Sequence, residues 1–223
     1  MTPADRLKNC YTVNFIDHYS NYCRVFLALT KDKAAKKFEH FLAWFEKRFD
    51  CLIHVLRTDG GGEYMNVDLF CKTACVERQK SEARNQASNG KEERMHRTVL
   101  NMARSMIFAS RLPLSFWRDA VEYAAFVLNR IPNSANTRRA SPLQMLTKQT
   151  PDLREIVAFR SVCTVYRDPR KISLKQRAQL GAIVGSSDET KGYRVFLKKY
   201  NVVVVTQHVE NIETLSDEQI DRL

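Results

Sequence analysis

Apolar positions recur along the chain with two periods. Residues 10–16 (C-Y-T-V-N-F-I) alternate loosely and are rich in β-formers, which predicts a strand. Residues 22–29 (Y-C-R-V-F-L-A-L) predict its hairpin partner, across a turn holding Ser20 and Asn21. Residues 30–49 change to helical spacing, with Phe38, Leu42 and Phe45 on one side and Lys31, Lys33, Lys36 and Lys37 on the other. A strand over 52–56, a short helix over 67–74 and a partly polar strand over 76–80 follow. Residues 81–90 (S-E-A-R-N-Q-A-S-N-G) have no period and predict a loop. A long helix over 91–110 carries Met95, Val99, Met102, Ala103 and Met106 as its apolar stripe. Leu112-Pro113-Leu114 interrupts it, and a second helix over 116–131 buries Trp117, Ala120, Val121, Ala124, Val127, Leu128 and Ile131.

The order up to residue 131 is therefore β-β-α-β-α-β-α-α, which predicts an α/β class with a mixed sheet flanked by helices. A polar connection and one helical turn near 142–147 come next. From residue 158 the pattern changes to short β-rich runs at 162–167, 180–185, 193–197 and 202–206 with charged turns between them. The expected division is an α/β unit over 1–132, a connecting segment over 133–157, a small β-barrel-like domain over 158–211 and an acidic tail over 212–223.

Charge changes this picture more than composition does. The 223 residues carry a formal net charge of +11, an excess that attracts a polyanion, with nucleic acid as the leading candidate. Residues 78–111 hold eight basic residues against three acidic ones, and 167–177 hold five against one, which makes these the expected phosphate-tracking surfaces. No apolar run approaches the length of a membrane span and no signal peptide opens the chain, so no membrane partner is expected. The six cysteines are scattered without zinc-finger spacing, as expected of reduced thiols in a protein working inside the cell.

The candidate chemistry centres on residues 55–64, V-L-R-T-D-G-G-G-E-Y. Asp59 ends an apolar run, and Gly60, Gly61 and Gly62 clear the backbone beside it, which would let a metal ion and a phosphate approach. An ordinary Asp-Gly turn is the other reading of the same residues. Asp17 also ends a strand, and Glu93 stands in the first turn of the long helix. Magnesium takes hard oxygen ligands, and two such ions roughly 4 Å apart can serve phosphoryl transfer, so three carboxylates from separate elements could form that clamp. Arg97 and Arg104 share a helix face with Glu93 and either contact phosphates or are simply solvated. Lys91 and Arg94 are further nucleic-acid-binding candidates.

F-I-D-H-Y-S (15–20), L-R-T-D-G-G-G-E-Y (56–64) and N-G-K-E-E-R (89–94) resemble the three acidic motifs of copia-type retrotransposon integrases. The likeness continues through R-T-V-L-N-M-A-R (97–104), L-P-L-S-F-W (112–117), L-N-R-I-P (128–132), residues 142–151 and 163–167, and the R-x-x-L-G-x-I-V-G run (177–185). It implies a DDE polynucleotidyl transferase with a ribonuclease-H-like core and a small SH3-like β-rich domain. It further implies Asp17, Asp59 and Glu93 as catalytic, metal-binding acids using two Mg²⁺ or Mn²⁺ ions. Element ends and target DNA would be the partners, a homo-oligomer the working form, and the nucleus the site of action after passage through the cytoplasm. The chain departs from the family pattern in Gly60 after the second acid, His18 after the first, Asn85-Gln86 before the third and Glu92 beside it. Two functions are therefore carried forward: DNA end processing and strand transfer, or a nucleic-acid-binding and assembly module that keeps the fold without turnover.

Overall fold

The computed structural model describes residues 5–6, 8, 11–30, 34–58, 65–80, 86–166, 178–187, 190 and 192–211. Asp59, the three glycines after it, residues 81–85, the basic run 167–177 and the tail 212–223 lie outside the described residues.

Strands β1 (Tyr11–Ile16) and β2 (Cys23–Ala28) form the expected antiparallel hairpin, with Tyr11 opposite Ala28 and Ile16 opposite Cys23. Period-two alternation gives this hairpin two apolar faces. Cys23, Val25 and Leu27 bury against the later helices, while Phe15, Tyr22 and Phe26 pack with helix α1 (Ala34–Phe49). On α1, Phe38, Phe41 and Phe45 are buried at helical spacing, and Phe15 stacks on Phe41 with ring centroids 4.8 Å apart. Strand β3 (Val55–Thr58), helix α2 (Met65–Thr73) and strand β4 (Glu77–Lys80) follow, with β3 and β4 parallel. Parallel neighbours need a crossover, and α2 lies between them in sequence and packs its Val67 and Cys71 into the α1 core.

Helix α3 spans Gln86–Ser110, so it begins inside the stretch whose lack of period predicted a loop. The residues of its first turn, Q-A-S-N, offer no apolar period to read. Val99, Ala103 and Ile107 bury against β2 and helix α4 (Trp117–Leu128), which a single 3-10 turn, Leu114–Phe116, introduces. Helix α5 (Pro142–Thr147) is capped by Ser141, whose hydroxyl accepts from Gln144 N at 3.1 Å.

The chain then forms one antiparallel five-stranded sheet from β5 (Val162–Tyr166), β6 (Ala178–Ser187), β7 (Gly192–Leu197), β8 (Val202–Thr206) and β9 (Val209–Asn211), in the order β8-β7-β6-β5-β9. Three-residue β9 is too short for its pattern to announce it. Cys163, Val165, Ile183, Val195 and Leu197 form the core of this sheet. Gly192 sits where a Cβ would come 2.7 Å from Thr206 O, so no side chain fits against that strand. The sheet rests on α4: Val184 joins the core of α3 and α4, and Arg194 pairs with Asp119 and Glu122 of α4.

The α/β class and the β-rich region after it are as expected. The four strands of the α/β unit differ in one respect from a single mixed sheet. Among the described residues they form two separate pairs, β1-β2 and β3-β4, joined through the core beneath them and not by a ladder.

Candidate functional site

Asp17 stands at the end of β1, at the entry to the hairpin turn. Its backbone N–H donates to Tyr22 O at 2.8 Å, and its carbonyl accepts from Asn21 N at 2.9 Å. Its carboxylate also serves the turn: Oδ2 accepts from Ser20 N at 2.8 Å and from Ser20 Oγ at 2.5 Å. This is the local side-chain-to-backbone bonding that Asp provides in turns. Asn21 takes the left-handed conformation, φ 63°, that lets the chain reverse.

The first turns of α3 reach this corner. Lys91 Nζ donates to His18 O at 2.6 Å, and burial holds its ammonium below the usual lysine range, partly offset by Asp17 and Glu92. His18 Nε2 and Glu92 Oε1 lie 2.5 Å apart. Asn14 Nδ2 donates to His96 Nδ1 at 2.6 Å, and burial lowers the His96 pKa from 6.5. Asp17 and Glu92 thus line one cavity of about 410 Å³, together with the edges of β1 and β3 and the phenyl rings of α1. Glu92 Oε2 is buried with no hydrogen-bond partner. Glu93 points elsewhere: its carboxylate is 65% exposed and pairs with Arg97 at 2.9 Å, one helical turn on. The structure brings Asp17 together with Glu92, and Glu93 is not on that cavity. Asp59 cannot be placed, being outside the described residues.

The strand leading to Asp59 is held by a buried guanidinium. Arg78 of β4 donates through Nε and Nη2 to Thr58 Oγ1, at 3.2 and 3.1 Å, and its Nη1 pairs with Asp68 of α2. Hydrogen bonding from Arg78 lowers the Asp68 pKa below 3.8. One side chain therefore ties β3, β4 and α2 together just before the glycine run. Among the described residues no three His, Cys, Asp or Glu side chains gather as a metal site. Asp17 and Glu92 do supply hard oxygen donors of the kind magnesium takes, and the unpartnered Oε2 is free to accept one. Arg94, Arg97 and Arg104 are exposed along α3, with Arg104 Nη1 reaching only Asn101 Oδ1 at 3.2 Å. They form an exposed basic row, in which Arg97 pairs with Glu93.

Sequence reasoning missed the residues that hold the corner in place. Asn129, inside the L-N-R-I-P run, brackets the backbone of Cys23: its Oδ1 accepts from Cys23 N and its Nδ2 donates to Cys23 O, both at 2.8 Å. Asn136 donates to Ser20 O at 2.8 Å and accepts from Asn21 Nδ2. Ser20, Asn21, Asn129 and Asn136 are all buried. The one available signal was Asn129 at a helix end, between Leu128 and Arg130 and three positions before Pro132.

A family model described as a retroviral polymerase SH3-like domain matches residues 161–222. The retrovirus-related Pol polyprotein of tobacco transposon TNT 1-94 is 31% identical over 192 residues, 84% of this chain. The chain is homologous to one part of the retrovirus-related Pol polyproteins of plant transposons. The Pol polyprotein of transposon RE2 from Arabidopsis thaliana is 24% identical over 201 residues, 90% of the chain. The chain spans 14% of the length of each of these relatives. Among solved structures, the HTLV-2 integrase catalytic core in complex with magnesium superposes with a TM-score of 0.46 and 14% identity, over 61% of this chain and 92% of that one. No helix among the described residues is long and apolar enough to cross a membrane.

Proposed function

We propose that this Pol segment is an integrase core with its SH3-like domain, and that it processes DNA ends and joins them to target DNA. The observation that carries this reading is the order of three acidic motifs inside a segment homologous over 84% of its length to one part of a transposon polyprotein. Asp17, Asp59 and Glu93 are the proposed acids, and Glu92 is a further carboxylate that shares a cavity with Asp17. These residues would hold Mg²⁺ or Mn²⁺, which lowers the pKa of a bound water and stabilises charge on a leaving oxygen. The chain's own contribution is positional. The Ser20 hydrogen bonds fix the Asp17 carboxylate, Arg78 fixes the strand that delivers Asp59, and α3 presents Arg94, Arg97 and Arg104 to phosphates. A homo-oligomer acting in the nucleus belongs to the same proposal.

Strand transfer on a DNA end substrate tests it. The wild-type chain should give magnesium-dependent joined product, and Asp59→Asn should abolish it. Equal product from both would remove the proposed chemistry.

A second reading is favoured by the pairing of Glu93 with Arg97 and by the use of Asp17 in its turn. Under it the segment binds and assembles on nucleic acid without turnover. DNA binding that weakens steeply with salt, with no metal-dependent product at any protein concentration, would select this reading.

A further inference from the structure

Helix α1 sorts its charges by side. Helical spacing places Lys36, Lys37, His40, Trp44, Lys47 and Arg48 along one flank and Glu39 and Glu46 along the other. Glu46 turns toward the chain after the helix, where its Oε1 accepts from Ile53 N at 2.7 Å. Lys47 and Arg48 stand in the last turn, where the helix dipole favours cations. That explanation fails for Lys36 and Lys37, which stand at the opposite end, in a first turn that holds no acid.

Strand β2 adds to the same flank. The Arg24 guanidinium lies over the Trp44 ring, 4.6 Å from its centroid, and Lys37 Nζ is 5.7 Å from the centroid of Phe26. His40 meets Phe26 edge-on at 5.9 Å. Phe26 and Trp44 are half-buried, so each ring keeps part of its surface at the solvent. Arg24 and Phe26 also rim a cavity of about 830 Å³ between β2, α4 and the five-stranded sheet. Its carboxylates, Asp119 and Glu122, are already paired with arginines. Cations interleaved with aromatic rings suit a single strand of nucleic acid: phosphates lie on the cations, and unpaired bases stack on rings and guanidinium planes. This flank is separate from the arginine row of α3. Cys23, Val25 and Leu27 carry one face of β2 onto α3 and α4, while Phe26 carries the other onto α1, so the hairpin lies between the two basic surfaces.

We infer that the α1–β2 flank is a second nucleic-acid surface, and that it takes a single strand. Trp44 and Arg24 stack its bases, and Lys36, Lys37, Lys47 and Arg48 hold its phosphates. The chain's net charge of +11 supplies the attraction. A duplex hides its base faces and would use only the cations.

Tryptophan fluorescence of the 223-residue chain tests the inference, because Trp117 is buried and Trp44 alone is placed to meet a base. A short oligothymidylate or oligouridylate should quench the emission, and comparing the two tells DNA from RNA. The matching duplex should quench little and bind about tenfold more weakly at equal salt. Lys36→Glu with Lys47→Glu, both exposed, should weaken single-strand binding about tenfold, with the fold checked by circular dichroism. Trp44→Leu should cost about tenfold, read from the anisotropy of a labelled strand. Arg104→Glu on α3 should leave the quenching unchanged. No quenching by either strand would overturn the inference, as would equal quenching by the duplex or full affinity in the folded double variant. No metal or joining reaction enters this experiment, so its outcome is separate from that of the catalytic reading.

Discussion

The two sheet regions of this molecule solve the same problem differently. In the C-terminal sheet, five antiparallel strands are paired in one ladder over a core of Ile183, Val195, Cys163, Val165 and Leu197. Among the described residues of the α/β unit, four strands form two pairs, and the aromatic side chains of α1 hold them together from below. The first region is stabilised by its strands and the second by its helices. Truncations should therefore be felt unequally.

The largest effect is expected in the C-terminal sheet. Ile183 is fully buried, and Ile183→Ala should cost about 4 kcal/mol, read from the urea midpoint. Phe38→Ala removes more atoms, yet Phe38 borders the cavity, so about 3 kcal/mol is expected, the low end for a buried phenylalanine. If Phe38→Ala proves the costlier, the α/β unit is as tightly closed as the other sheet and the comparison fails. Asn129→Ala comes next. It strands both backbone groups of the buried Cys23, for about 2–3 kcal/mol, and should loosen the Asp17 turn in amide exchange. Arg194→Met leaves the buried Asp119 with Arg6 alone, so about 2 kcal/mol is expected, less than for complete loss of a buried pair.

The smallest effect is a pH dependence confined to the α/β unit. Burial holds the folded His96 pKa below the 6.5 of the unfolded chain. The unfolded state then binds more protons, so stability is full above 6.5 and falls as pH drops through it toward the lower folded pKa. His96→Gln should flatten the urea midpoint between pH 7 and 5.5, relative to wild type. An unchanged slope would mean that another group carries the dependence.

Most of the architecture was legible because burial imposes a period. Phe38, Phe41 and Phe45 announced α1, and Val99 and Ala103 announced α3. The start of α3 at Gln86 was not legible, because the residues Q-A-S-N that open it carry no apolar period. The division of the α/β strands into two pairs was equally hidden: alternation says that a residue faces a core, not which strand lies beside it. At the candidate site, the acids Asp17 and Glu93 could be picked out by position. Their partners, Ser20 and Arg97, decide where each carboxylate points, and that depends on side-chain geometry that a one-dimensional pattern does not contain. Asn129 and Asn136 were passed over for a related reason. Their work is done on backbone more than 100 positions away.

Tyr123 adds one consequence for handling the protein. Its buried hydroxyl donates to Val157 O at 2.6 Å and accepts from Val157 N at 2.9 Å, riveting the connecting segment to α4 just before the second sheet begins. A protease that nicks the exposed stretch around Gln149 and Thr150 would cut the polypeptide without parting its halves. The two fragments should elute together from a sizing column and separate only in denaturant.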